Sequence, residues 1–217
     1  MLPFTHDQFI GVFGAYNAGI WPAQIVADLL GVAVCVAVVR GTMFAAALAA
    51  SSLAAMWIWT GVAYHGLFFS KINPAAVAFG VAFALEGLLF VHAALHRRLL
   101  FAPHAWRPLR AAAGWALIGY SALVYPVVGW LAGMSYPTVP TFGVTPCPVT
   151  LFTFGTLLLA TSPPWWLVPI PLAWSLLGGS AAMLLRMPAD WVLLASALCA
   201  LPLLAGRGRA SRRSPLA

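Results

Sequence analysis

Charged side chains are scarce in this sequence. Only 7% of the 217 residues are charged and four are acidic, whereas 63% are hydrophobic. A soluble domain has about 25% charged residues, because its surface has to be solvated. The composition therefore excludes an ordinary soluble domain and predicts a protein that is surrounded by lipid.

Lysine and cysteine are also scarce, and their scarcity excludes several functions. Lys71 is the one lysine and lies in a predicted loop, so a retinal Schiff base within a span is excluded. The three cysteines show no CxxC spacing, which argues against a zinc ribbon or a disulfide framework. The sequence also lacks glycine-rich phosphate loops and the HExxH and GxSxG motifs.

Long apolar runs are what the chain has in abundance. A transmembrane helix needs about 20 mainly apolar residues, and these runs predict an all-α, multi-pass transmembrane bundle of about seven spans. The predicted spans cover residues 17–39, 42–64, 73–95, 111–131, 148–160, 165–185 and 190–205.

Two segments of different character flank this seven-span domain, which covers residues 17–205. Residues 1–16 mix phenylalanines with polar residues and lack the pattern of a cleaved signal peptide. We interpret them as an amphipathic lead that lies in the membrane interface. Residues 206–217 are basic and polar, and we expect them to form a cytoplasmic tail.

The basic residues predict the orientation of the bundle. Four arginines lie between His96 and Arg110, and the net charge of the chain is +7. If that loop is cytoplasmic, nine of the eleven basic residues lie inside and two lie outside, in accordance with the positive-inside rule. We therefore expect the N-terminus outside and the C-terminus inside. We interpret the arginines as topological signals beside lipid headgroups and expect no nucleic-acid partner.

Prolines occur at the starts of the helices that are predicted to run inward, at Pro22, Pro74, Pro148 and Pro188. Proline suits the first helical turn, since the amide it lacks would have no partner within the helix. Four helix N-termini are thus predicted at the outer face, where their dipoles favour an anion or a polar group.

Polar residues near the predicted outer ends of the spans indicate a cup that binds a ligand. His65 is a candidate proton carrier or ligand, and Cys147 places a thiol between two prolines at a helix start, where it is a candidate reactive or metal-binding group. The alternative for His65 is an interfacial histidine, and the alternative for Cys147 is a cysteine that packs at a rigid turn. The predicted lining of the cup is Asn17, Tyr64, His65, Asn73, Tyr136 and Cys147.

Two acidic residues are predicted near the middle of the bilayer. Asp28 lies about eleven residues into the first predicted span and Glu86 about thirteen residues into the third. An acid at this depth is costly, which makes both residues candidate functional groups. They are predicted either to form a relay for a proton or cation, or to be neutral and hydrogen-bonded within the bundle.

Short motifs are spread over nearly the whole chain, and the Pro-Cys-Pro segment is the most specific of them. The motifs are AYN at 15–17, WPAQ at 21–24, YHGLFF at 64–69, INPA at 72–75, YP at 125–126, SYPTVPTFGVTPCPVTLFTFG at 135–155 and IPLAWSLLGGSAA at 170–182. They resemble those of a bacterial membrane-protein family, domain of unknown function 6064. The resemblance implies six or seven spans and a permease-like protein, and it implies no established activity.

The sequence leaves three functions open. The favoured one is a bacterial inner-membrane protein that binds or passes a small solute or ion through an outward-facing polar cup. The alternatives are a membrane-embedded metal or redox enzyme that uses Cys147 or His65, and an accessory subunit of a membrane complex. The lipid bilayer is the one partner that the sequence predicts, and homo-oligomer formation stays open. The sequence assigns no catalytic residue, metal or cofactor.

Overall fold

The computed structural model describes residues 3–205, and every regular element in that range is helical. Nine α-helices follow one another within it. They are α1 (His6–Gly19), α2 (Ala23–Arg40), α3 (Ala45–Trp59), α4 (Ala76–Leu95), α5 (Pro108–Gly119), α6 (Tyr125–Leu131), α7 (Pro146–Leu159), α8 (Pro169–Leu184) and α9 (Trp191–Ala205). The expected all-α class is confirmed.

Six helical segments in the described range are long and apolar enough to cross a membrane. They are Ala23–Arg40, Ala45–Lys71, Ala76–Leu95, Pro108–Leu131, Trp165–Leu184 and Pro188–Ala205. Large apolar side chains such as Leu29 and Leu198, which are 65% and 73% exposed, cover their outer faces. An apolar surface of this extent has to be covered by lipid, so the expected helical membrane bundle is confirmed.

The predicted fifth span differs from the other six. The helix α7 has 14 residues, and its length of about 21 Å is less than the roughly 30 Å of a bilayer's hydrocarbon core. Thirteen of its residues are buried, because α3, α5, α8 and α9 pack around it. The helix α7 is therefore the central helix of the bundle, largely shielded from lipid by its neighbours.

The central position of α7 requires that its polar groups find partners inside the protein. Three threonines of the helix donate their hydroxyls to carbonyls one turn earlier, at 2.8 to 2.9 Å. At the end of the helix, Arg110 donates to the carbonyls of Leu157 and Ala160 at 2.9 and 2.8 Å. A buried arginine thus satisfies carbonyls that a helix C-terminus leaves unpaired.

The bundle has two ends of different composition. The Pro-rich end comprises α1, the turns 72–75 and 185–190, and the Pro-rich connection, which is residues 132–145. The Arg-rich end comprises the loop 96–107 and the turns 41–44 and 160–164. Contacts join the parts of the Arg-rich end: the amide of Thr161 donates to the carbonyl of Leu100 at 2.7 Å, and Pro103 lies against Gly41. Which end faces the cytoplasm stays a prediction from the arginines.

Several helix boundaries differ from those predicted. The helix α2 begins at Ala23 rather than at residue 17, because α1 continues to Gly19 and a turn separates the two helices. The lead helix is thus three residues longer than predicted. Pro148 and Pro188 stand in first helical turns as expected, and the predicted tail 206–217 lies outside the described residues.

Two spans contain a stretch of π-helix, Thr60–Phe68 and Tyr120–Val124. Pro126 follows the second stretch, and because proline has no amide to donate, regular helical bonding is interrupted there. A π-helical turn changes which side chains face inward and is frequent at functional sites. The first stretch carries the buried Tyr64, and the second leads into the buried Tyr125.

Candidate functional site

A cavity of about 200 Å³ lies at the Pro-rich end of the bundle. Elements that are distant in sequence meet there: α1, the last turns of the second span, the starts of α4 and α7, and the helix α8. Ligand sites are usually concave and mainly apolar, with a few placed polar groups, and this cavity has that character. Seven aromatic residues line it: Phe4, Phe9, Phe13, Tyr64, Phe69, Phe79 and Trp174.

Tyr64 links the aromatic rings of the cavity into one cluster. Its ring stacks against those of Phe13 and Phe69, with centroids 5.3 and 5.7 Å apart. Phe4 packs edge-on against Phe69 at 5.3 Å. Phe4 and Phe13 are 9% and 4% exposed, so the N-terminal segment packs onto the bundle and supplies one wall of the cavity.

Asp190 is the acidic residue in the lining of the cavity, and the sequence analysis missed it. The turn Pro188–Asp190 holds it at the start of the last span, where it is 3% exposed. The Tyr125 hydroxyl donates a hydrogen bond to its Oδ1, and the Cys147 thiol interacts with the same carboxyl. The sequence did offer one indication of this position. Asp190 comes two residues after Pro188, which is one of the helix starts predicted at the outer face of the bundle.

Three of the six residues predicted to line the cup, Tyr64, Asn73 and Cys147, line this cavity. Cys147 lies in the first turn of α7. The Oδ1 atom of Asn73 accepts a hydrogen bond from the amide of Ala75 at 3.2 Å, which fixes the turn before α4. Half of the predicted set is thus brought together around one space.

Asn17 and Tyr136, which were predicted to line the cup, hold a loop instead. The Nδ2 of the buried Asn17 donates to the carbonyls of Pro137 and Val139 at 2.7 and 2.8 Å, and its Oδ1 accepts from the hydroxyl of Thr141 at 3.1 Å. The Tyr136 hydroxyl donates to the Asn17 carbonyl at 3.3 Å. These bonds clamp the Pro-rich connection onto α1, and neither residue is in the cavity lining.

Tyr16 makes a second clamp on the same connection, and the sequence did not reveal it. Its hydroxyl donates to the carbonyl of Val144 at 2.6 Å and accepts from the indole N–H of Trp59 at 3.0 Å. Burial raises the pKa of Tyr16, so the hydroxyl stays protonated and able to donate. The two clamps fix the path of the chain into α7, and thereby the position of Cys147.

His65 lies beside the cavity rather than in its lining. Its fully buried ring packs against Phe79, Phe83 and Trp174, with centroids 4.6 to 5.9 Å away. Within residues 3–205, neither ring nitrogen has a hydrogen-bond partner. Buried polar groups without partners are rare, and they indicate a bound water, a bound ion or a function.

The two acids predicted at the midplane occupy different surroundings. Glu86 lies at the centre of α4 with 0% exposure, and neither carboxyl oxygen has a partner in the described part of the chain. Asp28 lies on the exposed face of α2, about 8 Å from the start of that helix. The structure therefore buries Glu86 inside the bundle and leaves Asp28 on its surface, which does not place them in one relay.

Candidate metal ligands at the site are few. Cys147 and Asp190 are two such side chains in the cavity lining. Among residues 3–205, no group of three or more His, Cys, Asp or Glu side chains is arranged to hold a metal ion. The arrangement is that of a binding cavity with one carboxyl, one thiol and many aromatic rings.

The fold and the cavity together define a polytopic helical membrane protein with an aromatic cavity at one end of its bundle. A family model matches residues 6–214. The chain belongs to the family of unknown function DUF6064, and the family expected from the motifs is confirmed. No curated protein and no solved structure matches the chain.

Proposed function

We propose that this membrane protein binds a small solute in the aromatic cavity at its Pro-rich end. The cavity itself is the observation that carries the proposal. Its walls come from several helices and from the N-terminal segment, so distant parts of the chain fold around one space. The cavity is a partly open, mainly apolar space with a few placed polar groups, which is the usual form of a small-molecule site.

The proposal extends to passage of the solute, or of a coupled ion, toward the middle of the bundle. His65 lies next to the cavity with ring nitrogens that lack partners within residues 3–205, and Glu86 lies deeper, at the centre of α4. An unpaired buried polar group costs free energy, above all in a membrane. These groups support a hydrated path that leads inward from the cavity.

The arginine distribution supports a position of the cavity at the outer face of a bacterial inner membrane. Nine of the eleven basic residues fall on one side of the predicted bundle, and the loop 96–107 lies at the end opposite to the cavity. Under the positive-inside rule the Arg-rich end is cytoplasmic, so the Pro-rich end and its cavity face outward.

Cys147 offers a direct reporter of the cavity. In a chain that carries Cys35→Ala and Cys199→Ala, Cys147 is the one remaining thiol, and its modification by a small methanethiosulfonate is followed by mass spectrometry. Ala181→Phe fills the cavity and is expected to slow modification about tenfold or more. Ala132→Phe changes an exposed position at the same end and is the matched control, with an unchanged rate.

Occupancy is then measured as protection of Cys147 from the same reagent. Small cations, anions, zwitterions and neutral solutes are tested one class at a time. Protection by one class that disappears in Ala181→Phe supports the proposal. If Cys147 reacts and no class of solute protects it, the cavity is not a solute site and an accessory-subunit role replaces the proposal.

Passage is tested with the protecting solute in proteoliposomes. Glu86→Gln preserves the shape of the side chain and removes its ionisable group, so we expect slower flux with unchanged protection of Cys147. Asp28→Asn makes the same chemical change on the exposed face of α2 and is expected to leave flux unchanged. Equal flux in Glu86→Gln and in the unaltered chain would reject passage through this path and leave binding standing.

A further inference from the structure

We infer that the ligand of this cavity is a small organic cation, of the quaternary ammonium or protonated amine class. The inference rests on the proposed function, since it names the chemical class of the solute. Three independent features of the site carry it: the charge of the lining, the aromatic walls and the state of the helix N-termini.

The charged type of side chain in the lining is acidic. Among the described residues that line the cavity, Asp190 is the one charged side chain, and no lysine or arginine takes part. The basic residues at this end, Lys71 and Arg186, lie at exposed positions outside the lining. A cation in the cavity therefore meets a carboxylate and no competing positive charge.

Asp190 is held in place but lacks a counter-ion within residues 3–205. Tyr125 donates to its Oδ1 and Cys147 interacts with the same carboxyl, and both partners are neutral groups. The Tyr125 hydroxyl donates to the carboxyl, and both the ionised and the protonated forms of a carboxyl accept such a bond. A buried carboxylate without a positive partner is destabilising, and a bound cation supplies that partner.

The aromatic walls favour the same class of ligand. The faces of Phe, Tyr and Trp rings carry negative potential, and cations bind over them, with quaternary ammonium groups as the familiar case. Seven such rings line the cavity, Trp174 among them. Because Tyr64 stacks against Phe13 and Phe69, a cation gains electrostatic attraction only at the rings of the lining whose faces are open to the cavity.

The helix N-termini at the cavity offer few free amides to an anion, although their positions led us to expect that they favour an anion or a polar group. The first turn of α7 contains two prolines, which have no amide, and the amide of Val149 donates to the Thr145 carbonyl at 3.2 Å. At the start of α4, the amide of Ala76 donates to the Asn73 carbonyl at 2.9 Å. The amide of Asp190 is also bonded, to the Met187 carbonyl at 3.0 Å. An anion would need several free amides at one helix start, and these prolines and bonds leave few of them at the cavity.

The test compares choline with 3,3-dimethyl-1-butanol, a neutral compound of the same shape, by equilibrium dialysis against the purified full-length chain. Choline is expected to bind about tenfold more tightly than the neutral compound or better, a difference of about 1.4 kcal/mol. Asp190→Asn keeps an acceptor for Tyr125 and removes the charge, so it is expected to abolish this preference. Asp7→Asn, at an exposed position on α1, is the matched control and is expected to leave the preference intact.

A second variant keeps the inference testable if Asp190→Asn does not fold. Phe9 is partly exposed at the edge of the cavity, and Phe9→Leu retains apolar surface but removes the ring. Choline is expected to bind several-fold more weakly to this variant, with little change for the neutral compound.

The outcomes separate the inference from the proposed function. Equal binding of choline and the neutral compound, or protection of Cys147 by anions alone, would overturn the cation class and leave a solute site in place. No protection of Cys147 by any class of solute would overturn both.

Discussion

At the scale of single residues, buried polar side chains in this protein form two groups. Asn17 and Tyr16 have partners that hold the Pro-rich connection. His65 and Glu86 are just as buried, yet the described residues give them no hydrogen-bond partner. A buried polar group with hydrogen-bond partners stabilises the fold, whereas one without partners destabilises it unless a ligand or water is bound. The first pair therefore belongs to the scaffold, and the second pair is the one that the proposed path uses.

Asn17→Ala tests the scaffold role. The change leaves the carbonyls of Pro137 and Val139 without their donor, and a buried group that loses its partner costs about 1–3 kcal/mol. We expect a clear fall of the melting temperature in detergent. Thr138→Ala, which removes one exposed hydrogen bond from the same connection, is the control and is expected to cost less than about 1 kcal/mol. Equal effects of the two changes would contradict the clamp.

At the scale of elements, the second span and α4 approach each other through glycines. A Cβ atom on Gly61 would lie 2.7 Å from the Gly80 carbonyl oxygen and 2.9 Å from the Ala84 amide nitrogen. Both are backbone atoms that cannot move aside without shifting the helix. Small residues permit such close contacts between membrane helices. The π-helical segment that carries Tyr64 and His65 begins at this contact, so the packing of the two helices sets the position of both side chains.

Gly61→Ala is therefore expected to destabilise the bundle by about 1–3 kcal/mol or more through overpacking. Gly119→Ala is the matched control, because a Cβ atom at Gly119 would meet no atom within 4 Å. In a helix, alanine is favoured over glycine by about 0.5–1 kcal/mol, so the control is expected to be neutral or stabilising. Thermal melts of both variants in one detergent measure the difference, and a result of the same sign for both would contradict this packing.

At the scale of the whole molecule, the chain alternates between the Pro-rich and Arg-rich ends. The short helix α7 takes part in this alternation. It begins at Pro146 in the cavity lining and ends at carbonyls that Arg110 satisfies near the loop 96–107. Because α7 is enclosed by other helices, it can be shorter than a lipid-facing span. The arginines predict which end of the bundle faces which side of the membrane, and the helix packing does not decide it.

Single cysteines test the orientation in a chain that otherwise lacks cysteine. A membrane-impermeant maleimide is expected to label Ser135→Cys in intact cells and His104→Cys only after permeabilisation. A reporter fused after residue 217 is expected on the same side as residue 104. Labelling of both cysteines in intact cells, or a reporter on the side of residue 135, would reject the orientation and with it the outward position of the cavity.

Part of the candidate site was predictable because the chain places it at helix starts. Cys147 and Asn73 stand beside prolines that end one element and begin the next, and this local pattern indicated a shared face of the bundle. Asn17 shows what such a local pattern does not predict, namely the partners of the side chain. Its position near the cup was indicated, but its side chain bonds to carbonyls more than a hundred residues away, at Pro137 and Val139. Only the tertiary structure determines whether such a polar side chain faces a ligand cavity or forms hydrogen bonds to a loop.

The sequence by itself determined that this protein is surrounded by lipid and that its spans are helical. These properties can be read from single segments: the length of the apolar runs, the positions of the prolines and the scarcity of charge. In lipid, a single apolar segment can pair its backbone amides and carbonyls only by forming a helix. Only the tertiary structure decided that α7 is central, that the N-terminal aromatic residues close a cavity and that Asp190 faces Tyr125 and Cys147 inside it. These contacts join segments far apart in the chain, and their geometry depends on how all the helices pack together.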